Sequence, residues 1–139
     1  MKKPSVEFME KFHQGFIIFV GLSYILAGIP HFTNPDFYAP MMPPYLPWHK
    51  ELILLSGLFE ILGGVGMFFP FSRRFSSVGL IALLVAVFPA NMHLAINEIQ
   101  LLDAPVNPIA LWARIPFQAV FIYTVWWAGI KEHPWQVKL

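Results

Sequence analysis

The chain has 139 residues, of which 57% are hydrophobic and 12% charged, with a formal net charge of +1. Soluble domains carry about 25% charged residues, so this composition predicts an integral membrane protein, and the length predicts one domain over residues 1–139. The absence of cysteine excludes disulfides and cysteine-ligated iron–sulfur clusters, and the absence of a basic run argues against a nucleic-acid partner.

The first predicted membrane span covers residues 15–30, and an amphipathic lead-in over residues 1–14 extends it. Small and polar side chains share one stripe of this helix: Gly21, Tyr24, Gly28 and His31. A proline-rich segment follows from Pro30 as far as Trp48 and predicts no regular helix there. Its aromatic side chains are typical of a membrane–water interface: Tyr38, Tyr45 and Trp48.

The second predicted span, residues 52–70, holds one carboxylate, Glu60, near its middle. At helical spacing this acid shares a face with small residues: Ser56, Gly57, Gly63 and Gly64. Small residues allow helices to approach closely, and an acid inside a membrane is expected to face the protein interior or a wet cavity. Glu60 is therefore a candidate functional residue, and a purely structural carboxylate bonded to a neighbouring helix is the alternative.

The third predicted span covers residues 75–96. It carries a second stripe of small residues: Gly79, Ala82, Ala86 and Ala90. Pro89 lies inside this span and predicts a kink just before Asn91 and His93. These two side chains can face one cavity only if the helix is distorted, because residues two apart point in nearly opposite directions.

The fourth predicted span covers residues 109–130 and carries Arg114 and Gln118 near its start. Its end is rich in aromatic residues that are typical of the far interface: Tyr123, Trp126 and Trp127.

Four spans would place both termini on the same side of the membrane. Most lysines and arginines would then lie on that side: Lys2, Lys3, Lys11, Arg73, Arg74, Lys131 and Lys138. The opposite side would carry Lys50, with Arg114 just inside it. The positive-inside rule therefore predicts a multi-pass protein of the cell (plasma or inner) membrane with both termini cytoplasmic.

This topology would collect the polar groups of all four spans in the outer half of the helix bundle: His31, Glu60, Asn91, His93, Arg114 and Gln118. Glu60 would lie about 13 Å deep at 1.5 Å per residue. We expect Glu60 to pair with Arg114, directly or through Gln118 or water, because an uncompensated charge at that depth costs about 3 kcal/mol. The alternative is that this charge pair is purely structural and holds the helices together, with His31 and His93 next to it.

The candidate residues divide into two groups by chemistry. Proton handling is predicted for Glu60, His93 and His31, and ligand binding for Arg114, Gln118, Asn91 and Tyr24. The two histidines and the acid could also form a metal site, but no compact spacing supports it and a nearby arginine disfavours a cation, so no metal is predicted. The other histidines are predicted to be solvated: His13, His49 and His133.

Five short segments carry a resemblance to a known family. They are LAGIPHF (26–32), SGLFEILGG (56–64), PFSRR (70–74), VFPANMH (87–93) and RIPFQ (114–118), followed by a tryptophan-rich end. In this order they resemble the DoxX-like family of small four-span membrane proteins, which includes DoxX, DoxD and MauE-like members. The resemblance implies an all-α transmembrane four-helix bundle. It also implies a link to redox enzymes, since the namesake relatives are membrane subunits tied to thiosulfate:quinone oxidoreduction and others assist redox-enzyme maturation.

The predicted function is a redox-associated membrane subunit, linked to a quinone or a sulfur compound, with its polar pocket in the outer half of the bundle. A quinone is the candidate cofactor, and if the protein is an enzyme it is an oxidoreductase subunit. The expected partners are the lipid bilayer and either a membrane redox enzyme or further copies of this chain. Two alternatives stay open: a non-enzymatic assembly or stability partner of another membrane protein, and a small transporter or lipid-binding protein.

Overall fold

The computed structural model describes residues 3–101 and 105–133, and these residues form helices and no strand. The α-helices are α1 (Pro4–Gly28), α2 (Pro30–Thr33), α3 (His49–Met67), α4 (Pro70–Ala86), α5 (Phe88–Ile96) and α6 (Pro108–Gly129). Two short 3₁₀ turns, Pro35–Phe37 and Ala39–Met41, lie in the loop before α3. The all-α prediction is confirmed for the described residues.

Within residues 3–101 and 105–133, three helical stretches are long and apolar enough to cross a membrane: Pro4–Thr33, Pro70–Ile96 and Pro108–Gly129. They correspond to the first, third and fourth predicted spans. The helix of the second predicted span, α3, has 19 residues and differs from these three because it carries three charged residues, Lys50, Glu51 and Glu60. Three of the four predicted spans therefore have the length and composition of membrane spans.

Prolines set several helix boundaries. α1, α2, α4 and α6 each begin with a proline, a residue whose fixed φ suits the first helical position. Pro89 lacks an N–H, so the carbonyl of Val85 loses its helical donor, and the chain breaks between α4 and α5 at Val87. The predicted kink near Pro89 is thus confirmed. The prediction of no regular helix from Pro30 onward is wrong for one turn, because α2 begins there.

The long helices pack in a ring. α3 packs against α1 and α4, while α6 packs against α4, α5 and α1, so α3 and α6 lie diagonally across from each other. A core of buried apolar side chains fills the space between α1, α3, α4 and α6: Ile17, Val20, Met67, Leu80, Val125 and Ala128.

A glycine seam joins α1 to α3, with Gly28 against Gly57 and Gly21 against Gly64. A Cβ on Gly28 would lie 2.7 Å from the carbonyl oxygen of Gly57, and one on Gly21 would lie 2.8 Å from that of Gly64. Such distances are closer than a real side chain permits, so the two helices touch through their backbones. The seam also brings His31, which lies in the short helix α2 just after α1, against the α3 face that carries the acid.

Candidate functional site

His31 is held in one orientation by the backbone and a side chain of α3. Its Nδ1 lies 2.9 Å from the carbonyl oxygen of Ile53 and 3.0 Å from the Ser56 hydroxyl, which itself donates to the same carbonyl at 2.8 Å. Since a carbonyl only accepts hydrogen bonds, Nδ1 carries the proton and donates it. The free nitrogen, Nε2, is the one directed toward Glu60.

Glu60 faces this imidazole from one turn further along α3. Its Oε1 lies 3.7 Å from His31 Nε2, and the two side chains are 17% and 11% exposed. The second carboxylate oxygen, Oε2, is buried and has no hydrogen-bond partner. A buried polar atom left without a partner costs about 1–3 kcal/mol, so this oxygen is available to a ligand or a water molecule.

Tyr38, from the loop before α3, stacks on the ring of His31. The ring centroids are 4.1 Å apart and the planes are inclined by 22°. Burial raises the pKa of the Tyr38 hydroxyl above its ordinary value, the charge of Glu60 acts in the same direction, and Arg114 opposes it. Tyr38 therefore remains a neutral hydrogen-bond donor at physiological pH. Tyr38 was predicted to lie at the membrane interface and was not predicted as a site residue.

These groups form the polar end of a cavity of about 390 Å³, here called the acid cavity. Its polar lining residues are His31, Tyr38, Ser56, Glu60 and Asn91, and the other lining residues are apolar side chains of α3, α4, α5 and the loop. None of the described lining residues is a lysine or an arginine. A mostly apolar cavity of this size with a few convergent polar groups is typical of a small-molecule site.

A second cavity of about 580 Å³ lies beside α6 and is called the arginine cavity. Arg114 and Gln118 line it, and Asn91 lines both cavities. Gln118 is 5% exposed, accepts a hydrogen bond from Asn91 Nδ2 at 3.1 Å, and donates to the main-chain carbonyl of Leu84. This glutamine thus ties α6 to α4 and α5 across the proline break.

The predicted direct ion pair of Glu60 with Arg114 is not formed, whereas a pairing through water stays a prediction. Among the ion pairs of the described residues, the partner of Glu60 is His31, and Arg114 lies on an exposed face of α6. The physical reason is the diagonal placement of α3 and α6, which do not pack along their lengths. The single polar pocket that the sequence predicted is therefore divided into two cavities that meet at Asn91.

His93 and Tyr24 were also predicted site residues, and neither of them lines either cavity. Both Asn91 and His93 lie within the regular helix α5, so their side chains point to different sides, and the buried Nδ1 of His93 has no hydrogen-bond partner. Tyr24 packs against the core between the helices and lies close enough to Glu60 to interact with it electrostatically.

Two histidines predicted to be solvated are instead buried at the other end of the molecule. His13 and His133 are 4% and 5% exposed, with ring centroids 4.6 Å apart, and both rings contact Trp127 edge-to-face. The prediction failed because α1 begins at Pro4, which places His13 inside a packed helix. The third of these histidines, His49, is half-buried, with Nε2 3.1 Å from the carbonyl oxygen of Pro43.

Within the described part of the chain, no three histidine, aspartate or glutamate side chains come together as a group that could hold a metal ion. A family described as a domain of unknown function, DUF8561, matches residues 20–129, so the chain belongs to that family. The matched range includes every residue of both cavities. No curated protein and no solved structure matches the chain.

Proposed function

We propose that this member of the DUF8561 family spans the cell membrane four times, as a DoxX-like helix bundle with both termini cytoplasmic. In this proposal α3 also crosses the membrane, in addition to the three apolar stretches. Its 19 residues extend about 28 Å at 1.5 Å per residue, close to the thickness of a bilayer core. Its central charge, Glu60, faces a cavity inside the protein, which is where a membrane-spanning helix tolerates an acid.

The function that the site supports best is binding of a quinone in the acid cavity by a redox-associated membrane subunit. One observation carries this proposal: a largely apolar cavity is lined by a carboxylic acid, an imidazole 3.7 Å from that acid, and a phenol whose ring stacks on the imidazole. A quinone has an apolar ring and carbonyl oxygens that accept hydrogen bonds. Its reduction to a quinol takes up two electrons and two protons.

In this function, Glu60 and His31 exchange the protons, and Tyr38 donates a hydrogen bond to a carbonyl oxygen. A partner redox enzyme in the same membrane supplies or removes the electrons. A small anion is the less favourable ligand of the acid cavity, because a carboxylate lies there without a lysine or arginine among the described lining residues. An anion would belong in the arginine cavity instead.

The test is ligand-induced thermal stabilisation of the purified protein by a short-chain benzoquinone. A ligand at 100 times its Kd stabilises the folded state by about 2.7 kcal/mol, so we expect a clear rise in Tm for the wild type. Glu60→Gln should abolish the rise. Glu51→Gln, an exposed acid on the same helix, is the matched control and should retain it.

Arg114→Gln shows which cavity holds the quinone. We expect this variant to respond like the wild type, because Arg114 does not line the acid cavity. An equal rise in Tm for the wild type and Glu60→Gln would contradict the proposal.

A non-enzymatic role as an assembly partner is favoured by a separate observation. The small residues Gly79, Ala82 and Ala86 of α4 are exposed, and a Cβ on Gly79 would meet nothing within 4 Å. Exposed small residues along a membrane helix allow another helix to pack closely. If this role is correct, Gly79→Ile should release a protein that co-purifies at a fixed ratio in mild detergent, whereas Gly15→Ile, also in open space, should not.

A further inference from the structure

The acid cavity reaches the outer surface of the helix bundle between α3 and α4. Leu55 and Phe59 of α3 both line the cavity, yet they are 45% and 48% exposed. Across from them, Ala86 of α4 also lines the cavity and is exposed. These three residues line the cavity and also reach the surface, so they mark the place where the cavity lies closest to the outside of the bundle, here called the lateral opening.

The walls of the lateral opening are apolar throughout. On the α3 side, Leu55 and Phe59 are one helical turn apart and lie on one face. On the other side, Ala86 and Ala90 leave a gap, because an alanine side chain does not extend beyond Cβ. If the helices span a membrane as proposed above, this surface contacts lipid hydrocarbon. An apolar group can enter from there without the cost of removing water from polar atoms.

The loop before α3 lies at the end of the same cavity. Tyr38, Met41, Met42 and Leu46 of this loop all line the cavity and are half-buried. The polar groups therefore lie beneath the loop, while the apolar walls lead toward the bilayer. A ligand that fills both regions needs a polar head and an apolar tail.

The polar end also selects among molecules that have a head and a tail. It presents an acid, an imidazole, a phenol and an amide, with no lysine or arginine among the described lining residues. A phospholipid would bring its negatively charged phosphate next to Glu60, where none of the described lining residues is a cation that could pair with it. A neutral head with carbonyl or hydroxyl groups can both accept and donate hydrogen bonds there.

We propose that the acid cavity takes its ligand sideways from the bilayer, and that this ligand is a prenylated quinone whose tail lies between α3 and α4. This inference rests on the proposed function and adds two features to it, the direction of entry and a requirement for the tail. It assigns Leu55, Phe59, Ala86 and Ala90 to tail binding.

The experiment compares two radiolabelled quinones that share one head group, the first with a long prenyl tail and the second with a methyl group in its place. Equilibrium binding is measured on wild-type protein in lipid nanodiscs and on Ala86→Phe, which fills the opening. We expect Ala86→Phe to weaken binding of the tailed quinone by about ten-fold or more, equivalent to about 1.4 kcal/mol, and to change binding of the methyl analogue by less than about two-fold.

Ala82→Phe is the matched control, because Ala82 is exposed on the same helix one turn earlier and does not line the cavity. It should bind both quinones as the wild type does. If Ala86→Phe fails to fold, Ala90→Phe on the same wall replaces it. Equal effects on the two quinones, or no effect on either, would overturn the lateral opening while leaving quinone binding intact.

Failure of the wild type to bind either quinone would overturn the proposed function itself. Native mass spectrometry of wild-type protein from its own membrane adds one further outcome. A retained phospholipid that Ala86→Phe loses would keep the opening but overturn the quinone as its ligand.

Discussion

The two ends of the helix bundle bury histidines in contrasting surroundings. At the site end, His31 faces the carboxylate of Glu60 across 3.7 Å and lines a cavity. At the aromatic end, His13 packs against the rings of His133 and Trp127, and no acid pairs with it among the described ion pairs. Burial of a histidine therefore does not by itself indicate chemistry, whereas an acid and an open cavity beside the ring do.

The contrast has a simple physical basis. A neutral imidazole is a flat aromatic ring and packs edge-to-face with a tryptophan much as a phenylalanine does. At the aromatic end the Nε2 of His13 is buried without a partner, a cost that ring packing must offset. At the site end the corresponding nitrogen has a carboxylate beside it, so a proton can be shared between the two side chains.

The largest effect should come from the glycine seam at the site end. In Gly57→Ala the new Cβ would overlap the Cβ of His31 and lie 2.9 Å from the Gly28 carbonyl oxygen. We expect a loss of about 3 kcal/mol, the upper range for overpacking, together with loss of the quinone-induced rise in Tm. Gly79→Ala, in open space, should instead gain up to about 1 kcal/mol. Thermal unfolding measures both, and wild-type stability in Gly57→Ala would refute the close contact.

Gln118→Leu tests whether the arginine cavity is structurally separate from the acid cavity. Removing this amide leaves the Leu84 carbonyl and the Asn91 side chain without their partner, so we expect a loss of about 2 kcal/mol. The quinone response should persist, because Gln118 does not line the acid cavity. The double variant with Asn91→Leu should lose less than the sum of the single changes, because the two amides bond each other. Additive losses would argue against this hydrogen bond.

A matched pair of substitutions compares the two ends directly. His31→Phe removes the hydrogen bond to Ile53, and we expect a loss of about 1.5 kcal/mol and no quinone response. His13→Phe keeps the ring packing and removes a buried nitrogen without a partner, so stability should change by less than about 1 kcal/mol and the response should persist. If the two variants behave alike, the inferred difference in role between His31 and His13 is wrong.

The smallest effect is expected from Tyr38→Phe, which keeps the stacked ring and removes the hydroxyl. Below pH 10 its stability should lie within about 0.5 kcal/mol of the wild type. Because the pKa of Tyr38 is raised by burial, the unfolded chain loses this proton first, and wild-type stability should fall as the pH rises above about 10. The fall should be shallower in Tyr38→Phe, and a comparison of Tm at pH 8 and pH 11 measures it.

The sequence predicted the positions of the helices and the residues of the site better than it predicted how those residues are arranged in space. Apolar runs and prolines located the long helices and the break near Pro89, since these depend on local chemistry. Topology and depth predicted that His31 and Glu60 lie in the same half of the bundle, and the glycine seam between α1 and α3 is the backbone contact that brings them together. Local patterns do not fix the order of the helices around the bundle. Whether α3 lies beside α6 depends on the packing of all the long helices, which is why the expected direct contact of Glu60 with Arg114 is absent. Tyr38 was missed for a similar reason, since a loop carries no periodicity that fixes its direction.

Asn91 is the only described residue that lines both cavities, and its amide is held by one hydrogen bond to Gln118. A ligand that draws the Asn91 amide toward the acid would compete with its bond to Gln118, whose amide nitrogen donates to the backbone of α4. We therefore expect occupancy of the acid cavity to alter the lining of the arginine cavity through Asn91.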